Sequence, residues 1–188
     1  SLSSTIKSEL RGQSDGGFRR NFLHMLDAGV NVCLSGVDAN TTSASSMFDA
    51  MSTAWAIGIP WSGDDTAELQ PISYNTCLEM VTVNGAKSLG LTDMTGTLTP
   101  GKRADLILVR ATDLNMAPFS DARSALVKSA RVSNVDTVML DGRIRKRGGQ
   151  LIGINVPEIV ENAARSLHNM RSRAGGEWAP ESGRVPLF

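Results

Sequence analysis

The sequence predicts an α/β fold with a parallel sheet, followed by a segment richer in β-structure. Between residues 18 and 58, a predicted helix, a glycine, an apolar strand, a polar loop and a second helix follow one another, as in βα-repeat proteins. Further along, the apolar run Leu106–Val109 predicts a strand that is covered on both faces. Residues 135–146 predict a β-hairpin, because Asp141-Gly142 suits a type I′ turn.

The opening segment leads into the first helix and strand. Residues 1–17 are polar and contain three glycines, which predicts a loop. Residues 18–28 predict a helix that ends at Gly29, and residues 30–34 predict a short strand directly after it. The apolar stripe of this helix has helical spacing and consists of Phe18, Phe22, Leu23 and Leu26.

The second helix is predicted to start near Ser46. Ser46 and Asp49 have the spacing of a capping box, with Asp in place of the usual Glu. The helix ends before Gly58-Ile59-Pro60. Its buried face is predicted to hold Met47, Met51, Ala54 and Trp55.

A third helix is predicted to start at Ser73, whose hydroxyl can accept a hydrogen bond from the first turn. Gly90 suits the left-handed residue that follows a helix end. Pro100-Gly101 has the chemistry of a type II turn and leads into the Leu106–Val109 strand. The apolar stripe comprises Cys77, Leu78, Met80, Val81, Ala86 and Leu89.

A last helix is predicted to begin at Asn155, with Pro157 in its first turn. Gly175-Gly176 end this helix, and residues 177–188 form a tail. Its apolar stripe consists of Ile159, Val160, Ala163, Leu167 and Met170.

Length and composition indicate a globular protein with one core and a small appendage. Its 188 residues carry 19 basic and 19 acidic side chains, so we expect no nucleic-acid and no membrane surface. The basic run at residues 143–147 is expected to be the solvent side of the hairpin. We expect no signal peptide and no membrane span, since no apolar run approaches ~20 residues. Cys33 and Cys77 stand in apolar patterns, which predicts free thiols in a cytoplasmic protein.

Asp38 is the residue whose position points to chemistry. It follows the predicted strand at residues 30–34, and α/β barrels place catalytic groups just past the carboxyl ends of their parallel strands. A carboxylate at this position can equally cap the turn at residues 40–42. Position alone leaves both roles open.

Residues 84–106 carry a family signature. Its parts are residues 84–91 (NGAKSLGL), 96–98 (GTL) and 100–106 (PGKRADL). Together they resemble the carboxy-terminal signature of the amidohydrolase superfamily, and they are most similar to its cytosine deaminase-like and chlorotriazine hydrolase-like branch. The resemblance implies the carboxy-terminal part of a (β/α)₈ TIM barrel, followed by the carboxy-terminal half of a small β-sandwich domain.

The same resemblance assigns a role to Asp38. Residues 34–38 (LSGVD) look like the family's eighth barrel strand, whose terminal aspartate binds the metal and moves protons. Val37 departs from the Thr or Ser that more often precedes that aspartate. The resemblance therefore implies that Asp38 ligates a divalent zinc or iron ion and acts as a general base toward a small heterocyclic substrate.

The other metal ligands are not found in this sequence. A catalytic zinc site needs several protein ligands, yet the chain has two histidines and no His-x-His pair. His24 and His168 both fall in predicted helices, where we expect a surface or packing role. In the family, the histidine ligands lie upstream of the part that this chain resembles. That part begins near the family's seventh barrel strand, around residues 4–6, and covers residues 5–155, whereas a complete barrel needs about 250 residues. We therefore expect a fragment that binds no tight metal and is inactive alone.

The remaining polar groups are weaker candidates. Asp64-Asp65 is expected to be a solvated loop pair. Ser43 and Ser45 have no neighbouring histidine to activate them. The loop at residues 40–46 could contact a substrate, since loops at that barrel face carry specificity, and Glu9 is a further candidate for such a contact.

These observations divide the chain into three parts. Residues 1–95 are the last strands and helices of a metal-dependent hydrolase barrel, residues 96–153 are β-sandwich strands, and residues 154–188 are a helix and tail. The predicted reaction of the parent enzyme is hydrolysis of a C–N bond in a small heterocycle, by deamination or by opening of a cyclic amide or amidine. The alternative is a non-catalytic binding or assembly module that retains the fold. Because a barrel cut before its seventh strand has open edges, we also expect self-association.

Overall fold

The structure is a computed structural model that describes residues 2–4, 17–35, 46–60, 62–63 and 65–175. The chain divides into two compact units, Ser1–Gln150 and Leu151–Phe188. The predicted boundary at residues 95–96 stays a prediction. No helix in the described ranges is long and apolar enough to cross a membrane.

The first unit contains a parallel pair of short strands. Strand β1 (Leu2–Ser4) pairs with strand β2 (Val32–Leu34), so that Ser3 lies opposite Cys33. The predicted parallel sheet is confirmed for this pair. The loop predicted for residues 1–17 is wrong at β1, because this polar segment has no strand pattern of its own and is held by its pairing with β2.

Helix α1 (Gly17–Asp27) connects these two strands and ends where the sequence predicts. Gly29 follows the helix with a φ of 71°, a left-handed conformation that glycine adopts without steric cost. The strand after it is two residues shorter than predicted, since it begins at Val32 rather than at Val30.

Helix α2 (Met47–Ile57) has the predicted capping box. The Ser46 hydroxyl accepts a hydrogen bond from the Asp49 N–H at 3.2 Å, and the Asp49 carboxylate accepts from the Ser46 N–H at 3.4 Å. Both bonds satisfy backbone donors that the helix start leaves unpaired.

The third predicted helix is interrupted. Helix α3 (Tyr74–Met80) begins at Ser73, whose hydroxyl accepts a first-turn N–H at 3.1 Å. The helix ends at the β-branched run of residues 81–83, where the Thr82 hydroxyl donates to the Leu78 carbonyl at 2.7 Å. The single-helix prediction is wrong because this local bond and the crowding of β-branched residues compete with the helical ladder.

Helix α4 (Val83–Ser88) follows and leads to the predicted turns. Gly90 has a φ of 70° and Gly101 a φ of 94°, which confirms the helix stop and the type II turn. Leu89 is wrong as a member of the buried stripe, because it lies past the end of α4 and is 72% exposed.

The core of the first unit lies where α1, β2, α2 and α3 meet. Phe22, Val32, Ala54 and Cys77, one from each of these elements, have no exposed surface. They belong to one apolar cluster, which confirms the buried stripe of α2 and, for Phe22, Leu23 and Leu26, that of α1. The burial of Phe18 stays a prediction. A later segment of the chain adds Met116, Ala125, Val127, Ala130 and Val135 to this cluster.

Within the described residues, the second sheet has four strands, in the order in which they occur in the chain. Asp141 has a φ of 51° and Gly142 a φ of 74°, which confirms the hairpin turn. The strands are β3 (Leu106–Val109), β4 (Val135–Leu140), β5 (Arg143–Arg147) and β6 (Gln150–Leu151).

Strand β3 does not have the cover that its apolar sequence predicts. Ile107 is 48% and Leu108 is 55% exposed. Ile107 and Leu108 are neighbours in a strand, so their side chains point to opposite faces of the sheet. Because both are about half exposed, the expectation of burial on both faces is wrong for this chain.

The connection between β3 and β4 contains short helical segments. Helix α5 (Ala122–Ser124) continues as a π-helical turn (Ala125–Ser129), and a 3₁₀ turn (Val132–Asn134) precedes β4. The second unit contains helix α6 (Val156–Ala174). Its predicted cap is confirmed, since the Asn155 side chain accepts a hydrogen bond from the Glu158 N–H at 3.3 Å.

Candidate active site

The predicted site begins at the carboxyl end of β2. Leu34 is buried there and Ser35 is half-buried, and the parallel register brings the carboxyl ends of β1 and β2 to the same edge. Barrel enzymes build their active sites at this edge. Asp38 lies three residues beyond Ser35 and falls outside the described residues, so its catalytic role stays a prediction.

Hydrogen bonds from α4 hold the amino-terminal half of β2 in place. The Asn84 amide donates to the Val32 carbonyl at 2.9 Å, and the Asn31 amide donates to the Asn84 carbonyl at 3.2 Å. The Cys33 thiol donates to the Ser88 hydroxyl at 3.5 Å. Asn84 opens the signature at residues 84–91, so one function of that signature is to fix the strand that leads to Asp38.

Asp49 is the first carboxylate that the structure describes after Ser35, and it is already engaged in hydrogen bonds. Its Oδ2 atom accepts hydrogen bonds from both the N–H and the hydroxyl of Ser46, at 3.4 and 3.0 Å. A carboxylate committed to a helix cap is a poor candidate for a metal ligand or a general base. The arrangement instead fixes the start of α2 at Ser46.

Both histidines lie within helices, as the sequence predicts. His24 is on α1, where its Nε2 atom is 3.2 Å from an Asp65 carboxylate oxygen. Arg20 lies 3.9 Å from the same carboxylate, which is 64% exposed. Asp65 therefore pairs loosely with α1 rather than standing free in its loop. His168 is on α6, where its carbonyl accepts a hydrogen bond from the Ser172 hydroxyl.

A metal ion would need donors that the described part of the chain does not bring together. Across these residues, no three His, Cys, Asp or Glu side chains form a group that could hold an ion. Zinc sites use several such donors, so the residues present do not by themselves fit the metal. Three further polar candidates lie outside the described ranges, namely Glu9, Ser43 and Ser45, as does Asp64.

Both cysteines are buried, and neither forms a disulfide. Burial raises the pKa of the Cys77 thiol to about 11, because a low-polarity environment disfavours the thiolate. The thiolate is the form that binds metals and attacks electrophiles. Cys77 is therefore a core residue rather than a catalytic one at neutral pH.

A polar network missed at the level of sequence lies before β4. Asn134 is 1% exposed, and its amide donates to Asp113 at 2.7 Å and to Asn115 at 2.9 Å. The Asn134 bond, followed by the bond from Arg110, lowers the pKa of the Asp113 carboxyl. All these groups satisfy one another, so the network fixes the long β3–β4 connection. An Asn in a turn-rich segment gives no sequence signal for such distant partners.

One open cleft of about 360 Å³ lies at the other end of α2 from Ser46. The Trp55 and Tyr74 rings lie 5.6 Å apart beside it, and the Lys128 ammonium is 5.3 Å from the Trp55 ring centre. Helix α2 has 11 residues, which corresponds to about 16 Å of helix. None of the residues predicted for the site is among those that line the cleft.

Comparison with known proteins links this framework to one family. The sequence matches the amidohydrolase family model over residues 7–145. It is 35% identical over 144 residues to the 5-methylthioadenosine/S-adenosylhomocysteine deaminase of Moorella thermoacetica, which covers 77% of this chain and 33% of the deaminase. The resemblance identified from residues 84–106 is therefore confirmed.

Solved structures give the same result. An adenosine deaminase from Xanthomonas campestris with bound zinc superposes with a TM-score of 0.71 at 26% identity, covering 80% of this chain and 33% of that one. An atrazine chlorohydrolase from Arthrobacter aurescens in complex with zinc has a TM-score of 0.74 at 20% identity, covering 88% and 35%, and supports the fold alone. The chain spans about a third of the length of the relatives that it matches.

Proposed function

Because the chain belongs to the amidohydrolase family, we propose that its parent protein hydrolyses a C–N bond of a small nitrogen heterocycle. The first candidate is the exocyclic amino group of an adenosine-type nucleoside, which leaves as ammonia. The observation that carries this proposal is the 35% identity to a deaminase of adenosine derivatives over 77% of the chain. The likeness to a zinc-bearing adenosine deaminase supports it.

The proposal divides the catalytic site between this chain and an upstream region of the parent protein. The described residues lack a cluster of metal donors, and the chain covers a third of its relatives. A divalent ion, zinc or iron, would supply Lewis-acid activation of the attacking water. This chain would contribute Asp38 as one ligand, and the remaining ligands would come from upstream.

Asp38 would also move the proton. A carboxylate at the end of β2 can take a proton from the attacking water and deliver it to the leaving nitrogen, which makes it general base and then general acid. The hydrogen bonds of Asn84 and Asn31 around β2 support this assignment, since they fix the strand from which Asp38 extends. The capped start of α2 would fix the chain on the other side of Asp38 in sequence.

The test compares two Asp→Asn substitutions in the parent protein. Asp38→Asn should lower the kcat for ammonia release from adenosine or 5′-methylthioadenosine by roughly 10²-fold or more, with a nearly unchanged melting temperature. Asp27→Asn is the matched control, because Asp27 is an exposed carboxylate at the end of α1. If the folded Asp38→Asn protein keeps its turnover, Asp38 is a turn cap and is not catalytic.

A non-catalytic binding or assembly module is the competing function. The absence of a donor cluster in the described part of the chain favours it. Measurements on the parent protein distinguish the two functions. An enzyme retains stoichiometric metal and releases ammonia from its substrate, whereas a folded non-catalytic module does neither.

The finer architecture is part of the same proposal. We assign the β3–β6 sheet to half of a small β-sandwich, residues 1–95 to the barrel and residues 154–188 to a terminal helix and tail. The half-exposed side chains of β3 support self-association or cover by an upstream strand. A cytoplasmic location and the lack of a nucleic-acid partner stay predictions.

A further inference from the structure

Helix α6 lies outside the residues that match the family, 7–145, and forms part of the second unit, Leu151–Phe188. It has 19 residues and a complete amino-terminal cap. Within the described residues of its own unit, α6 is the one helix. The chemistry of its surface is therefore separate from the reaction proposed above.

The apolar residues of α6 follow a heptad rule. They recur at alternating intervals of four and three residues, which is the a/d pattern of helices that pair along a seam. None of the residues of α6 is buried, and Val160 and Leu167 at the centre of the seam are 62% and 53% exposed. The seam comprises Val156, Val160, Ala163, Leu167, Met170 and Ala174.

Charge along α6 is strongly asymmetric. Its acidic residues, Glu158 and Glu161, lie in the first two turns, whereas its arginines, Arg165, Arg171 and Arg173, lie in the middle and at the end. Two such helices side by side in parallel would bring like charges together. In antiparallel order, the acidic start of one helix lies level with the basic end of the other, and the helix dipoles also oppose favourably.

We propose that α6 pairs with α6 of a second copy of this chain as an antiparallel two-helix seam. With the twofold axis at Arg165, Val160 of one copy lies level with Met170 of the other. Ala163 lies level with Leu167, so a small residue faces a large one, as close packing requires. The same register places Val156 level with Ala174. This proposal does not depend on the enzymatic activity proposed for the parent protein.

Three single-cysteine variants of the full chain test this register. Ser166→Cys stands beside the proposed axis, so that the two copies of residue 166 lie close together. Ala174→Cys stands at the helix end, where two copies would be roughly 27 Å apart in the antiparallel pair but adjacent in a parallel one. Ser172→Cys lies on the face opposite the seam and serves as the matched control. The native Cys33 and Cys77 are buried, and the unmodified chain measures their background.

A short bismaleimide linker should convert most Ser166→Cys chains into covalent dimers, with at least tenfold less dimer from the other two variants. Adding Leu167→Glu to Ser166→Cys should reduce the dimer yield to background, because it places a charge in the seam. Preferential cross-linking of Ala174→Cys would show a parallel pair and overturn the proposal. Equal yields from all three variants would indicate cross-linking by random collision. Background yields from all three would indicate that α6 does not pair with a second copy of itself. Either result would also overturn the proposed antiparallel pair.

Discussion

Strands β2 and β3 are both short apolar runs, yet they have different surroundings. All three residues of β2, Val-Cys-Leu, are buried, whereas the central Ile107 and Leu108 of β3 are about half exposed. Strand β2 is enclosed by β1, by the cluster from α1, α2 and α3, and by the hydrogen bonds of α4. Strand β3 pairs on one side with β4 and stands at the end of its sheet.

The difference shows what a hydrophobic run does and does not predict. It indicates that burial is favourable, because each buried aliphatic side chain contributes about 1.5–3 kcal/mol. It does not indicate whether the covering residues lie in the same chain. Strand β2 is covered by other elements of this chain, whereas the half-exposed side chains of β3 are available for contact with a further strand or chain.

The largest effect should come from the core around β2. Phe22→Ala removes a ring with no exposed surface, so we expect a loss of about 3–5 kcal/mol in the free energy of unfolding. Phe119→Ala is the matched control, because Phe119 is 44% exposed and should cost about 1 kcal/mol or less. Urea unfolding of both variants measures the difference between their losses in unfolding free energy. Equal losses would contradict the conclusion that the core lies around β2.

A smaller effect on the same core is predicted with pH. The pKa of the Cys77 thiol is raised from 9.0 to about 11, so its contribution to stability is complete below pH 9 and is lost as the pH rises through about 11. The loss should reach at most about 2–3 kcal/mol. The measurement is the difference in unfolding free energy between the wild type and Cys77→Ala across this pH range. A difference that stays constant with pH would mean that the thiol is not in a low-polarity environment.

The smallest effect is expected on β3. Ile107→Ala should cost about 1 kcal/mol or less in the dilute chain, which is comparable to Ile59→Ala at a similar exposure of 44%. If β3 is covered by self-association, the cost of Ile107→Ala should grow with protein concentration while that of Ile59→Ala stays constant. Analytical ultracentrifugation alongside urea unfolding distinguishes these outcomes. A large cost at low concentration would show that this chain covers β3 by itself.

Features set by adjacent residues could be predicted from the sequence. The Ser46–Asp49 box, the Asp141-Gly142 turn and the left-handed Gly29 each depend on backbone geometry within four residues, and the structure has all of them. The interruption of the helix at Thr82 could not be predicted from the apolar stripe, because the stripe continues across it. The stripe gives no sign that the Thr82 hydroxyl bonds to the backbone carbonyl of Leu78.

Features that depend on distant partners could not be predicted. The hydrogen bond from the Asn84 amide to the Val32 carbonyl joins residues 52 positions apart, and no local sequence pattern predicts it. The Asn134 network has the same character, since its partners come from another part of the connection. Asp38 was found by position and resemblance, and its role stays a prediction because it lies outside the described residues.

The central proposal is that this chain carries the end of a catalytic barrel, with Asp38 as a metal ligand, and that the other ligands lie upstream. Metal analysis of the 188-residue chain after exhaustive dialysis against zinc-free buffer tests it most directly. One carboxylate does not supply the several donors that catalytic zinc needs, so we expect far less than one zinc ion per chain. About one tightly held ion per chain would contradict the account, because the site would then be complete within these residues.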